Sequence, residues 1–176
     1  MNSKLFLRYS FVIVAWMVSA GCSRNNGVNC DTHAELVSAK QSAAIVYQAL
    51  RTWLLLVNTD QLKVSNPGGG EIGELVLLLW NSRSPDKSHQ LISLARYRMG
   101  TSWHEMLTCA LVAGGPESLS DLRLALTEGS APCRSELSKL YPKLDATRIC
   151  QDDTSFTSWV NEIIAAIESG ETCSPY

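Results

Sequence analysis

The stretch from residue 32 to residue 58 constrains the fold more than any other part of the chain. Its apolar residues recur at spacings of three and four without a break: Leu36, Ala39, Ala43, Val46, Leu50, Trp53 and Val57. This period places them on one face of an α-helix, which Asp31 or Thr32 can cap. Four more apolar residues widen that face: Val37, Ala44, Tyr47 and Leu54. A face this wide is typical of a core helix, although a stripe of the same kind can bind a partner helix.

Helix start and stop signals alternate along the chain after residue 70. The run from 72 to 81 is apolar nearly all round and predicts the most buried helix. Ser84-Pro85-Asp86 opens the next helix, which is predicted to end at Gly100. Three further start signals follow: the Ser102 to Glu105 capping box, Pro116-Glu117, and the Asp153-Thr154 cap. Strand signals are nearly absent, so the sequence predicts an all-α fold, a compact bundle or stack of about six to seven helices with short connections.

The first 21 residues have the layout of an export signal. Lys4 and Arg8 form a short basic region, residues 11–18 are apolar, and Ser19-Ala20-Gly21 are small. The apolar run is roughly half as long as a membrane-spanning helix requires. The segment is therefore predicted to be removed rather than kept as an anchor, and the protein is predicted to be exported.

The end of this leader, Ser19-Ala20-Gly21-Cys22, resembles the lipobox of bacterial lipoproteins, although Leu is more usual at the position of Ser19. The resemblance covers only the leader and the first mature residue. It implies cleavage before Cys22 and attachment of three acyl chains, palmitate among them, which together make a stable membrane anchor. Ser23, in place of an acidic residue, implies the outer membrane, facing the periplasm. Cleavage after Ala20 is the alternative, and it would give a soluble periplasmic or secreted protein.

The predicted organisation is a signal peptide over residues 1–21, a polar tether over 22–31 and a single helical domain over 32–176. The leader carries two of the 15 basic residues and none of the 17 acidic ones, so the chain from Cys22 onward has 13 basic residues and a formal charge of −4. That charge argues against a nucleic-acid partner, which usually requires a basic face. No motif indicates a cofactor, and none is expected.

The six cysteines bear on both export and anchoring. Export permits disulfides, and Cys133 with Cys150 is the favoured pair because the two flank a proline-containing turn. Cys30 and Cys173 are further disulfide candidates. If Cys22 is acylated, five cysteines remain and one of them is unpaired or bonds another chain, whereas the alternative cleavage leaves all six for three bridges. No two cysteines have the CxxC spacing of zinc ribbons and thioredoxin-like redox sites.

Motifs for catalysis and metal binding are incomplete. His104-Glu105 begins like the zinc motif H-E-x-x-H, but Thr108 stands at the position of the second histidine. Residues 68–73 match G-x-G-x-x-G, yet the acidic residue within that run would place a negative charge where a pyrophosphate binds. A flexible helix start is the preferred interpretation of this run. Because these motifs are incomplete, we expect neither a metal nor a catalytic residue. Catalysis would require His89 or His104 to lie beside a carboxylate in the fold.

These observations favour a non-catalytic protein-binding module tethered to the cell envelope. An accessory subunit of an envelope assembly and an immunity-type inhibitor both fit. The expected partners are membrane lipid, through acylated Cys22, and a protein of the cell envelope. The main alternative is an exported hydrolase that uses His89 or His104 with a carboxylate. A weaker alternative is binding of an apolar small molecule between the helices, which needs a cavity of roughly 300 Å³ or more.

Overall fold

The computed structural model describes residues 30–62, 71–98 and 100–173, apart from the side chains of residues 30–39 and of Glu71. The predicted signal peptide, Cys22 and most of the predicted tether therefore lie outside the described residues, as do the glycines at 68–70. The first described helix begins at Cys30, two residues before the predicted start of the domain. The predictions made for the leader and its lipid anchor stay predictions.

The described chain is all-α, as predicted. Seven helices have nine residues or more: α1 Cys30–Asn58, α2 Glu71–Trp80, α3 Lys87–Ala95, α4 Thr101–Gly114, α5 Leu119–Glu128, α6 Ala131–Leu140 and α8 Asp153–Glu168. Two short helices complete the set: α7 Ala146–Ile149 and a 3₁₀ helix over Gly115–Ser118. The described residues contain no strand, only one isolated antiparallel bridge between Tyr97 and Cys150. None of the described helices combines the length and the apolar character needed to cross a membrane.

α1 is the longest helix, and its predicted apolar face lies in the core. Five of the predicted residues are buried there: Ala43, Val46, Leu50, Trp53 and Leu54. The helix packs most extensively against α2, and Trp53 contacts Trp103 of α4, with ring centroids 5.8 Å apart. Ala44, which was expected to widen the face, is exposed. From residue 40 onward the stripe is therefore confirmed as a core face, but a slightly narrower one, while Leu36, Val37 and Ala39 lie outside the described side chains.

α2 is not the most buried helix, because α3 and α4 bury larger fractions of their residues. α3 buries five of its nine residues. α4 places six residues in the core: Trp103, Leu107, Cys109, Ala110, Leu111 and Val112. In α2, Val76 and Leu79 are buried, but Leu78 is 58% exposed. The prediction for α2 was wrong because a run that is apolar all round has more apolar surface than its neighbours cover.

α3 ends at Ala95, well before the predicted glycine stop. The chain after it pairs with the end of α7. The Arg98 N–H donates to the Ile149 carbonyl over 2.7 Å, and the Gln151 N–H donates to the Arg96 carbonyl over 2.8 Å. These bonds satisfy backbone groups that would otherwise need partners within a longer helix. Tertiary contacts therefore end α3 before the local sequence signal does.

Three predicted helix caps differ in the structure. α1 begins at Cys30, so Asp31 and Thr32 lie within the helix and neither is its N-cap. Gly100 is the N-cap of α4 and no side chain caps that helix, so the predicted Ser-to-Glu capping box is not formed. Asp152, rather than Asp153, caps α8, since its side chain accepts a hydrogen bond from the Ser155 N–H at 2.8 Å. The capping residue precedes the first helical residue, so a shift of one position in the helix start moves the role to its neighbour.

Asp153 instead fastens the junction of α5, α6 and α8. Its Oδ1 accepts a hydrogen bond from the Ser130 N–H at 2.7 Å, and its Oδ2 lies 3.0 Å from Arg134 Nη2. Gly129, between α5 and α6, has a φ of +55°, and a Cβ atom there would lie 2.7 Å from Asp153 Oδ1. Both the backbone conformation and the close approach therefore favour glycine at this position.

Replacing the Asp152 cap by alanine is expected to lower the midpoint of thermal unfolding at neutral pH. The hydrogen bond from the Ser155 N–H lowers the pKa of the Asp152 carboxyl below its ordinary value of 3.8. Its stabilising effect is therefore present above that pH and is lost as the pH falls through the folded-state pKa. Asp152→Asn should keep the cap and lose this pH dependence. Calorimetry at neutral and acidic pH measures both effects, and an Asp152→Ala midpoint equal to wild type at neutral pH would contradict the assignment.

Candidate functional site

Two disulfides cross-link the described part of the chain, and one of them, through Cys133, borders a candidate site. Cys133 of α6 bonds Cys150 after α7, the pair that the sequence favours, with Cα atoms 6.1 Å apart. Cys173, a predicted disulfide candidate, bonds Cys109 of α4, with Cα atoms 5.2 Å apart. Cys109 was not predicted because it lies within an apolar helix, where a free cysteine is also an ordinary core residue. Cys30, the fourth candidate, lies outside the described side chains.

His104 lies on α4 and is half-buried. Its Nε2 atom lies 3.0 Å from Gln151 Nε2 and 3.4 Å from the Ala95 carbonyl oxygen. Because an amide nitrogen only donates, Nε2 accepts from Gln151 and carries no proton to donate to the Ala95 carbonyl, so this contact places His104 in its neutral form. The imidazole stacks on Trp159, whose indole N–H donates to the Thr108 hydroxyl. No described carboxylate hydrogen-bonds to His104, so its surroundings are those of a packed structural histidine.

Stability is expected to depend on His104 below neutral pH. Burial lowers the pKa of His104 from its ordinary value of 6.5, so the unfolded chain binds the proton first. The contribution of the neutral ring is present above pH 6.5 and is lost as the pH falls through the folded-state pKa. His104→Gln, which cannot bind this proton, should flatten that part of the curve of unfolding free energy against pH. Denaturant titrations over this range provide the curve, and an unchanged slope in the variant would show that the prediction is wrong.

His89 lies on α3, is exposed, and lines a cavity between α1, α3, α5 and α6. We call this cavity the polar cleft. It has a volume of about 370 Å³ and is lined by nine residues: Tyr47, His89, Ser93, Arg96, Tyr97, Glu128, Pro132, Cys133 and Glu136. The polar cleft thus brings His89 into one cavity with two carboxylates, although no hydrogen bond among the described residues joins its ring to either of them.

Arg51 lies beside the polar cleft and is only 8% exposed. Its Nη2 atom lies 2.8 Å from Glu136 Oε1, but the N–H bonds do not point along this contact, which is an ion pair without hydrogen-bond geometry. Arg51 Nε donates to the Tyr97 hydroxyl at 3.2 Å, and that hydroxyl donates to Glu136 Oε2 at 3.4 Å. Arg51, Tyr97 and Glu136 therefore form one connected network between α1, the end of α3 and α6.

Arg96 is the second buried cation of the polar cleft and is 3% exposed. Its Nη2 donates to Glu128 Oε2 at 2.7 Å, and its Nε donates to the Gly129 carbonyl at 2.9 Å. The guanidinium also lies over the Phe156 ring, 5.3 Å from the centroid. Each buried arginine is thus matched by one carboxylate, which is the arrangement that makes burial of such charges tolerable.

The two tyrosines of the polar cleft are neutral at physiological pH. Burial raises the pKa of Tyr97 to about 12. Burial and the nearby Glu136 carboxylate also raise the pKa of Tyr47 above its ordinary value. The formal charges of the two arginines and the two carboxylates therefore cancel, and the phenols add hydrogen-bonding groups without adding charge.

A second cavity lies between the C-terminal part of α1 and the loop after α6, and we call it the apolar groove. It has a volume of about 430 Å³ and is lined by Thr52, Leu55, Leu56, Thr59, Gln61, Tyr141, Pro142, Lys143 and Leu144. The hydroxyls of Thr52 and Thr59 donate to carbonyls of the preceding turn of α1, so they are already satisfied. Leu140, next to the groove, is 56% exposed, and Tyr141 on its wall is 42% exposed. The groove therefore offers an accessible and mainly apolar surface.

Of the network formed by Arg51, Tyr97 and Glu136, only Arg51 could have been recognised from the sequence. Arg51 falls four residues after Tyr47 and three before Leu54, inside the widened apolar face of α1. A charge at such a position is a buried-ion candidate, because the same spacing directs it toward the core. Tyr97 and Glu136, which pair with Arg51, come from distant parts of the chain, and no local pattern indicates them.

Among the described side chains, no group of three or more His, Cys, Asp or Glu residues could hold a metal ion. Comparisons of the chain with protein-family models, with curated proteins and with solved structures found no match. The function therefore has to follow from the chemistry of the apolar groove and the polar cleft.

Proposed function

We propose that this protein is a lipid-anchored module of the bacterial cell envelope that binds another protein through the apolar groove. The observation that carries the proposal is the groove itself, with Tyr141 exposed on its wall and Leu140, the preceding residue in the chain, also exposed. A groove lined mainly by apolar side chains is a common form of protein-interaction site. An accessory subunit and an immunity-type inhibitor both use such a surface without chemistry of their own.

The location outside the cytoplasm is supported by the disulfides. Two bridges within one small domain indicate an oxidising compartment. The anchor is supported by the lipobox-like Ser19-Ala20-Gly21-Cys22. The two bridges use four of the six cysteines and leave Cys22 and Cys30, a count that fits both acylation of Cys22 and a third bridge between these two. Acylation of Cys22, with sorting to the outer membrane, then leaves Cys30 without a thiol partner in its own chain.

α1 separates the apolar groove from the predicted anchor. The groove begins at Thr52, about 33 Å along the helix from Cys30 at 1.5 Å per residue. The residues between the acylated cysteine and the helix extend over at most roughly 27 Å. The groove can therefore meet a partner well away from the lipid surface, which favours a protein ligand over the membrane itself.

The groove also limits the chemistry of its partner. Among the described residues, its walls offer apolar side chains and few free hydrogen-bonding groups, and Lys143 is the only charged residue of this lining. A segment that inserts apolar side chains and carries a carboxylate at its flank complements this surface. An exported hydrolase is a weaker proposal, because His104 is held by Gln151 and no described hydrogen bond activates His89.

The anchor is tested with the Cys22→Ser variant expressed in its own host. We expect wild-type protein in the membrane fraction, with an N-terminal peptide that carries three acyl chains on Cys22. The variant should lose these chains and leave the membrane fraction. A wild-type N-terminus at Gly21 without lipid would establish cleavage after Ala20 and overturn the anchor.

The docking surface is tested with the double variant Leu140→Ser/Tyr141→Ser. Both side chains are exposed, so the fold should be kept while the apolar surface is lost. Leu124→Ser is the matched control, because Leu124 is 48% exposed on α5, away from the groove. Affinity capture from the detergent-solubilised envelope should give a stoichiometric protein partner with wild type and with the control, and at least about tenfold less with the double variant. Equal recovery by all three proteins would exclude the groove as the docking site.

A further inference from the structure

We propose that the polar cleft is a binding site for a small neutral polyhydroxylated ligand, such as a mono- or disaccharide. This site is separate from the apolar groove and does not depend on the proposed protein partner. Its volume of about 370 Å³ lies within the usual range for small-molecule sites, which begins at roughly 300 Å³.

The fold does not need the charges that surround the polar cleft. Apolar residues of similar volume stabilise a core as well as a buried ion pair does, and often better. Here two arginines, both more than nine-tenths buried, lie between the helices next to an open cavity. Their carboxylate partners, Glu128 and Glu136, have side chains 36% exposed and line that cavity. A charged cluster with its acceptors facing an open cavity is the arrangement that recognition of a polar ligand requires.

The charge balance selects a neutral ligand. Arg51 is matched by Glu136 and Arg96 by Glu128, so the cluster has no net formal charge. A charged ligand would leave one uncompensated charge in a partly desolvated site, which is unfavourable. A neutral ligand with many hydrogen-bonding groups leaves the balance intact.

Sugar hydroxyls match the groups that the polar cleft offers. Each hydroxyl can both donate and accept, and the cleft presents carboxylate acceptors together with the hydroxyls of Ser93 and Tyr47. His89 is exposed at the cleft and can donate or accept according to its tautomer. The ring of half-buried Tyr47 adds flat apolar surface, which suits the C–H face of a pyranose.

The test uses the full-length detergent-solubilised protein and saturation-transfer NMR. The neutral probes are glucose, N-acetylglucosamine and lactose, and the charged probes are acetate and methylammonium. Ser93→Ala and His89→Ala remove ligand contacts while leaving both ion pairs intact. Ser138→Ala is the control, because Ser138 is exposed on α6 outside the cleft. We expect at least one sugar to bind, about three- to tenfold more weakly in each cleft variant and unchanged in the control.

Three results would overturn the proposal. The first is the absence of saturation transfer to any sugar. The second is tighter binding of acetate or methylammonium than of the sugars. The third is sugar binding that neither cleft variant weakens. The Leu140→Ser/Tyr141→Ser variant should bind sugar like wild type. Failure of the cleft and failure of the groove can therefore be told apart.

Discussion

Replacing Cys109 and Cys173 together by serine is expected to lower the free energy of unfolding by about 4 kcal/mol, because a bridge across 64 residues strongly restricts the unfolded chain. The same change at Cys133 and Cys150, which are 17 residues apart, should cost about 3 kcal/mol. Urea unfolding measures both. The variants are made with Cys30 replaced by serine, so that no free thiol near the domain exchanges with either bridge.

The two bridges should also differ in their order of reduction. Cys133 and Cys150 are both buried, whereas Cys173 is only half-buried near the C-terminal end of the described chain. Thiol–disulfide exchange needs access to a sulfur atom, so limiting reductant should open Cys109–Cys173 first. Alkylation followed by peptide mass mapping identifies the reduced pair. Earlier labelling of Cys133 and Cys150, or variants as stable as wild type, would contradict this account of the bridges.

Glu128→Ala is expected to lower the free energy of unfolding by about 3 kcal/mol, since it leaves the buried Arg96 guanidinium without its carboxylate. Glu168→Ala is the matched control. Glu168 pairs with Arg123 at 3.0 Å, but both side chains are more than half exposed, and such pairs contribute about 0–1 kcal/mol. Both changes replace a helical glutamate by alanine, a strong helix former. A difference in stability between the two variants therefore does not come from helix propensity.

Urea unfolding of the two variants under the same conditions measures the difference. The effect at Glu128 should exceed that at Glu168 several-fold, and added salt should reduce only the smaller effect. Equal losses in the two variants would show that Arg96 finds compensation elsewhere. The buried Arg96–Glu128 pair would then contribute no more to the free energy of unfolding than an exposed ion pair does.

The all-α class and the core face of α1 could be predicted because both depend on local spacing. Helix periodicity and capping signals act within a few residues, and the buried side chains of α1 follow the predicted stripe. Predictions failed where tertiary contacts overrode a local signal. α3 ends at Ala95 because the following residues pair with the end of α7. The α8 cap was misplaced for a local reason, since the helix begins one residue earlier than predicted and Asp152 caps it.

The candidate sites were less predictable because their residues are far apart in the chain. The apolar groove joins the end of α1 to the loop around Pro142, and no sequence pattern connects these segments. The polar cleft joins Arg51 to Glu136, of which only Arg51 breaks a local apolar pattern. The Cys133–Cys150 bridge could be predicted from the sequence because both cysteines flank one turn. The Cys109–Cys173 bridge could not, because it connects α4 to the C-terminal tail.

Site-specific photo-crosslinking in living cells tests the central claim, docking of a protein partner on the apolar groove. A photoreactive residue replaces Tyr141 at the groove, and in a second strain it replaces the equally exposed Leu124 on α5. We expect one discrete protein adduct from the Tyr141 position, lost when Cys22→Ser removes the anchor, and none from the Leu124 position. No adduct at Tyr141, or the same adducts from both positions, would contradict a docking surface at the groove.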